Sequence, residues 1–148
     1  MNWDEYFRNI AHTVKLKSKD KFTQIGAVIV GSDKEITSTG YNSFPRGIND
    51  NLDERQERPE KYYWMAHAEI NAIVNSARIG VSTKGSTLYL TCGLPCCGCS
   101  RAIINAGIKR VVCDGKGDSA KGKQYIDEYK RSEIMLKEAG IIIDFYGM

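Results

Sequence analysis

The chain has 148 residues, 42% of them hydrophobic and 26% charged, which suits one domain with an ordinary core and excludes wholesale disorder. Its 21 Lys and Arg against 18 Asp and Glu leave a net charge of +3, too weak to draw a nucleic acid by electrostatics alone. No apolar run approaches the roughly 18 residues of a membrane span, and the opening Met1-Asn-Trp-Asp-Glu-Tyr6 lacks the basic-then-apolar plan of a signal peptide. The expectation is a single soluble, cytoplasmic domain over residues 1–148, with no membrane partner.

Residues 2–17 carry Trp3, Phe7, Ile10, Ala11 and Val14 at helical spacing. Ile25-Gly-Ala-Val-Ile-Val30 is a short β-branched run ending in the turn residues Gly31-Ser-Asp33, and Glu35 to Thr39 completes a hairpin. Residues 40–62 are rich in Gly, Asn, Asp, Arg and Pro without periodicity, and so long a polar loop points to function or disorder. A helix is expected from about Tyr63 to Arg78, with Ala66, Ile70, Ile73 and Ala77 on one face. Thr87-Leu-Tyr-Leu-Thr91 reads as a buried strand, and Pro95 sits where a following helix would begin. That helix puts Cys96, Cys99, Ile103 and Ala106 on one face and stops at Gly107. Arg110-Val-Val-Cys113 is a further buried strand, followed by a Gly/Lys/Asp loop. A helix from about Lys123 to Ala139 carries Tyr125, Tyr129, Ser132, Leu136 and Ala139 on one stripe, and Ile141-Ile-Ile-Asp-Phe-Tyr146 is the last strand. A helix, a hairpin, then alternating strands and helices predict an α/β domain: a three-layer α/β/α sandwich on a five-strand mixed sheet.

Five cysteines, four of them between Cys92 and Cys99, make a poor disulfide framework and point to metal or thiol chemistry in a reducing compartment. Histidine is scarce, with only His12 and His67. His67-Ala-Glu69 and Pro95-Cys-Cys-Gly-Cys99 together offer one imidazole and two thiolates, the three protein ligands of a catalytic zinc site that leaves its fourth position to water. The i, i+3 spacing of Cys96 and Cys99 at a helix N-terminus turns both sulfurs one way, and the helix dipole favours thiolate. Glu69 suits a proton shuttle better than a ligand. Each piece alone has a plainer reading. An HxE triplet is common without metal, and a lone CxxC serves redox chemistry or a structural zinc, with Cys92, Cys97 or Cys113 as fourth ligand. Cys97 should point elsewhere on its helix, Cys92 and Cys113 are expected to be ordinary buried strand thiols, and His12 an incidental residue near the end of the first helix.

HxE followed by PCxxC, on strand–helix units in this order, resembles the zinc-dependent nucleobase deaminases. Around it, Thr23-Gln-Ile-Gly-Ala-Val-Ile-Val30, Gly40-Tyr-Asn-Ser-Phe-Pro-Arg-Gly47, His67-Ala-Glu-Ile-Asn-Ala-Ile73 and Ala102-Ile-Ile-Asn-Ala-Gly-Ile108 resemble the deoxycytidylate (dCMP) deaminase branch, over roughly Trp3 to Tyr146. The Gly-Tyr-Asn-x-x-Pro block and the insertion at 47–66 are its branch-specific parts. The resemblance implies a cytidine deaminase-like fold, one zinc per chain on His67, Cys96 and Cys99, and Glu69 as acid/base. It also implies that the Ala68 backbone and residues flanking Cys96, Pro95 among them, meet the pyrimidine amide edge, and that Asn42 meets a sugar hydroxyl. The reaction so implied is attack of water at C4 of cytosine with loss of ammonia, giving dUMP from dCMP for thymidylate synthesis.

The family's Gly-Tyr-Asn-Gly is Gly40-Tyr-Asn-Ser43 here, and a positive φ at that position would cost serine about 1 kcal/mol or more. Cys97 adds an oxidisable thiol where the family varies. Residues 40–66 hold neither Cys nor His, so no second zinc is expected. For a phosphate, Arg46 and Tyr125 are the expected contacts, with Lys116, Lys121 and Lys123 of the glycine-rich loop as further cations. The resemblance further implies a homo-oligomer, dimer or hexamer, activated by dCTP and inhibited by dTTP. Mg2+ would accompany a triphosphate effector, and Arg78, Arg55 and Arg58 are the effector contacts it suggests. Rival readings are another cytosine nucleotide (CMP or dCTP), a base in tRNA or single-stranded DNA, a structural zinc module and a thiol-redox protein. A polynucleotide substrate would need a basic face with exposed aromatics, against which the interspersed acids argue. A zinc staple has no need of Glu69, and redox chemistry leaves His67 and Glu69 unexplained.

Overall fold

The computed structural model describes residues 1–115 and 123–147, with side chains from 126 onward in the second stretch. Lys116, Lys121 and the side chains of Lys123 and Tyr125, offered above for a phosphate, lie outside the described residues. Asn2 caps α1 (Trp3–Val14), its Oδ1 accepting from the Glu5 N–H at 2.8 Å, with Asp4 and Glu5 in the electropositive first turn. Phe7 and Ala11 are fully buried and cluster with Val28, Val30, Tyr89 and Val112 on one face of the sheet. That stripe, spaced for a helix, is why α1 lies flat on the strands.

β1 (Gly26–Val30) is buried at every residue because both its faces are covered, and it pairs antiparallel with β2 (Ile36–Tyr41) and β3 (Thr87–Leu90). β4 (Arg110–Asp114) and β5 (Ile142–Tyr146) continue the sheet in parallel, giving the order β2-β1-β3-β4-β5. Parallel neighbours need a crossover, and consecutive crossovers of one hand place their helices on one face. Accordingly α5 (Cys97–Asn105) and α6 (Lys123–Glu138) join α4 (Ala68–Ile79) on the face opposite α1, where Ala27, Ile29, Ala72, Leu88, Ile103 and Leu136 form the main core. The result is the expected three-layer α/β/α sandwich on a five-strand mixed sheet. Among the described residues no helix is long and apolar enough to cross a membrane.

Two expectations need correction. The helix read from Tyr63 to Arg78 is two helices, α3 (Lys61–Trp64) and α4, separated by extended backbone at Met65–His67. The cause is non-local: Ala66 forms an isolated bridge with Ser43, with N–H to carbonyl distances of 2.8 and 3.1 Å, so its backbone groups are taken by a partner outside any helix. The stretch 40–62 is also not one loop, for it holds α2 (Asp53–Gln56) and the start of α3. Ser43 itself carries no left-handed strain, since Lys34 is the only described non-glycine with positive φ. Gly40 matters more. A Cβ there would lie 2.4 Å from the Ala72 nitrogen and 2.6 Å from the Ala68 oxygen, so β2 and α4 pack backbone to backbone and fix where α4 begins.

Candidate active site

Two helix N-termini meet beyond the carboxyl end of β3. His67 is the N-cap of α4 and Cys96 the N-cap of α5 (Cys97–Asn105), so both ligand candidates sit at electropositive helix ends. His67 Nδ1 lies 3.5 Å from Cys96 Sγ and 3.4 Å from Cys99 Sγ, and the three donor atoms are within 4.8 Å of one another. A tetrahedral zinc bonded at about 2.3 Å to sulfur and about 2.0 Å to nitrogen holds those atoms about 3.5 Å apart, so the donor set fits the metal. The Cys99 thiol's hydrogen bond, helped by His67 and opposed by burial, brings Cys96 down to about 4, and the same bond pushes Cys99 up.

Among the described residues no fourth Cys, His, Asp or Glu joins the three, which leaves a coordination position open and removes the protein ligand that a structural zinc would want. Cys97 points away as expected. Its N–H donates to Glu128 Oε1 at 2.9 Å and its thiol to the Glu128 carbonyl at 3.3 Å, which ties the start of α5 to α6. Cys113 is fully buried in β4, and burial pushes its thiol up to about 12. Cys92, also raised by burial, lies just past β3 rather than in it. His12 is not incidental: its Nε2 is 2.5 Å from Asp114 Oδ2, which also accepts from Arg8 Nε at 3.0 Å, binding α1 to the end of β4.

Above the donors opens a cleft of about 580 Å³, lined by His67, Cys96, Glu69, Asn42, Lys61 and Arg58 among others. Glu69 is 4% exposed, and burial pushes its carboxyl up against the opposing charge of His67. A buried carboxyl beside a metal position is placed to take up and release a proton. Asn42 lines the cleft with its amide engaged: Oδ1 accepts from the Ile25 N–H and Nδ2 donates to the Thr23 carbonyl, both at 2.8 Å. Beneath it Lys61 Nζ and Asp20 Oδ2 form a buried ion pair at 2.9 Å, and the Phe22 and Thr23 N–H groups donate to Asp20 Oδ1.

Other predicted residues fall elsewhere. Ala68 begins α4 and is buried. Pro95 is buried behind the cleft wall, its carbonyl accepting from the Ser132 hydroxyl at 2.6 Å, while Gly93 and Leu94 face the cavity instead. Arg46, expected at the phosphate, lines a second groove of about 480 Å³ beside Arg78, and its Nη2 donates to Asn75 Oδ1 at 2.9 Å. Arg55 lies 3.9 Å from the centroid of the Trp64 ring, and Arg58, expected at an effector, lines the catalytic cleft. The reason is the fold of residues 42–67, which carries arginines of one polar stretch to different sides. The roles of Asp20, Lys61, Glu128 and Ser132 carry no local signal, for nothing in nearby sequence marks a lysine that will be buried or a serine that will brace a loop.

A His–Cys–Cys donor set at two helix N-termini, with a buried glutamate on an α/β/α sandwich, defines a metal-dependent hydrolytic deaminase site. Residues 1–114 match the family model for the cytidine and deoxycytidylate deaminase zinc-binding region, and the chain belongs to that family. Deoxycytidylate deaminase of Mus musculus is 35% identical to it over 148 residues, spanning 95% of this chain and 78% of the mouse protein. The dCMP deaminase of cyanophage S-TIM5, solved in complex with dCMP and dUMP, is 26% identical with a TM-score of 0.75 and covers 95% of this chain and 94% of its own. Cytidine deaminase from Burkholderia pseudomallei, at 16% identity and a TM-score of 0.52 over 72% of this chain and 79% of its own, shares the fold alone.

Proposed function

We propose that the chain converts dCMP and water to dUMP and ammonia, the dUMP being the precursor that thymidylate synthesis consumes. The observation that carries this reading is the convergence of the His67, Cys96 and Cys99 donors with buried Glu69 on the floor of a nucleotide-sized cleft. Likeness to the mouse and cyanophage enzymes supports the choice of nucleotide. His67, Cys96 and Cys99 would hold one zinc, which would supply Lewis-acid activation of water. Glu69 takes one proton from the attacking water and gives it to the ring nitrogen, then carries the second, from the new C4 hydroxyl, to the amine, which leaves as ammonia as its bond to C4 breaks. The Ala68 N–H, the first of α4 and without an intrahelical partner, serves the pyrimidine amide edge together with the backbone beside Cys96, that of Pro95 included. Asn42 forms the wall at the sugar.

The second groove sets Lys17, Lys19, Arg46 and Arg78 against Asp20 and Asp50, and the surplus of positive charge suits a triphosphate carrying Mg2+. We assign to it the response to dCTP and dTTP, in a homo-oligomer that acts in the cytoplasm. The test is ammonia release from dCMP, CMP, dCTP, deoxycytidine and a cytosine oligonucleotide, with and without either effector, using Glu69→Ala as the blank. Turnover of dCMP that the blank loses by a factor on the order of 100 or more is expected. Silence on every mononucleotide would refute the substrate, and unchanged rates with both effectors would refute the regulation.

A further inference from the structure

The described residues lining the catalytic cleft include three carboxylates, Asp20, Glu69 and Asp114, and two side chains of fixed positive charge, Lys61 and Arg58. Most of these charges are already spoken for. Lys61 and Asp20 neutralise each other at 2.9 Å with both side chains buried. Asp114 is met from behind by Arg8 and His12 of α1. Glu69 faces the metal donors. Among the described residues lining the cleft, Arg58 is therefore the one cation with no described carboxylate in ion-pair reach.

Its surroundings suit an anchor for an anion. Arg58 is exposed, between α2 and α3, and its guanidinium stands 5.1 Å from the centroid of the Phe22 ring. The ring belongs to a fixed turn, because the Phe22 N–H donates to buried Asp20 at 2.8 Å. An aromatic face steadies a guanidinium without using its N–H donors, which stay available for the paired oxygens of a phosphate. Lys61 cannot serve instead, since drawing it to a ligand would strand the Asp20 carboxylate in the protein interior. Arg46 opens onto the other groove and is engaged with Asn75.

We propose that Arg58 binds the 5′-phosphate of the substrate and so sets the preference for a pyrimidine mononucleotide over the free nucleoside. The assignment rests on the deaminase reading above and goes further, giving the phosphate a residue that neither local sequence nor the expected role of Arg58 at an effector site indicated. A phosphate dianion leaving water needs charge-assisted donors, and a bidentate guanidinium supplies two of them in one plane.

The test compares kcat/KM for dCMP and deoxycytidine in the wild type, Arg58→Gln and Arg58→Lys, alongside calorimetric titration with dUMP and deoxyuridine and thermal unfolding of each variant. In Arg58→Gln the dCMP-to-deoxycytidine ratio is expected to fall on the order of 10- to 100-fold, mainly through KM, with dUMP affinity falling in step and the unfolding temperature unmoved. Arg58→Lys, which keeps the charge and loses the fork, is expected to recover part of the ratio. A ratio and a dUMP affinity unchanged in Arg58→Gln would overturn the proposal while leaving dCMP deamination intact. Equal losses on both substrates would overturn it too, since they mark a role in the fold. A wild type that neither turns over dCMP nor prefers dUMP to deoxyuridine would overturn both this and the functional reading.

Discussion

Lys61→Met tests whether the cleft wall stands on its buried ion pair. Lys61 is 6% exposed and Asp20 9%, and methionine keeps much of the aliphatic stem while removing the ammonium. Asp20 would be left with the Phe22 and Thr23 N–H groups at 2.8 and 3.0 Å and the Asn42 amide at 3.5 Å. Removing one partner of a buried pair costs about 3–5 kcal/mol. The two backbone donors retain part of the carboxylate's solvation, so the lower end, about 3 kcal/mol, is expected. For a domain of this size that is a fall in Tm of about 6–12 °C.

The loss should depend on pH in a defined direction. In the wild type, burial pulls the Asp20 carboxyl up, but Lys61 and the two N–H groups outweigh it and hold the group below its ordinary value. A carboxyl lowered on folding contributes stability above its unfolded pKa, and that contribution is lost as pH falls through the folded value. Without Lys61 the largest opposing influence is burial, the folded pKa moves upward, and protonation relieves the variant as the medium is acidified. The gap between wild type and Lys61→Met is therefore widest near neutrality and narrows toward pH 4. Urea denaturation followed by circular dichroism at several pH values measures it, and Asp20→Asn added to Lys61→Met should recover stability at neutral pH by removing the stranded charge. A gap under about 1 kcal/mol near pH 7, or one that does not change with pH, would refute the reasoning.

Gly40→Ala should destabilise by at least the 1–3 kcal/mol or so of ordinary overpacking, because the new methyl meets backbone atoms of Ala72 and Ala68 that cannot turn aside. Turnover should fall with it, since α4 carries Glu69, and a wild-type Tm would show that β2 and α4 do not pack so closely. Ser132→Ala removes the hydroxyl that donates to the Pro95 carbonyl at 2.6 Å and lies 2.7 Å from Ser100 Oγ, at an expected cost of about 1–3 kcal/mol. Because Pro95 precedes Cys96, zinc should pass to a colorimetric chelator faster from this variant than from Leu136→Val, a comparable loss in the core of the same helix. Equal release from the two would mean that Ser132 stabilises the fold without bracing the metal loop.

The metal donors were legible because chemistry restricts them to few residue types and the spacing of Cys96 and Cys99 acts within one helical turn. With two histidines in the chain, His67 beside Glu69 had little competition. The unbroken apolar run of β1 and the short apolar segment of β3 were legible for a similar reason, since strands covered on both faces need apolar side chains at every position. Local pattern could not show the break at Met65–His67, because the Ser43–Ala66 bridge that makes it joins residues far apart in the chain. Nor could it sort the arginines. Arg46 and Arg58 belong to one polar stretch, and the groove each reaches depends on how that stretch wraps the pair between Asp20 and Lys61, 41 positions apart. Residue type and short spacing thus determined which atoms can hold a metal or carry a proton. Which cation faces the cleft, and which is consumed in holding the cleft together, was decided by ion pairs and backbone bridges that exist only once distant segments have met.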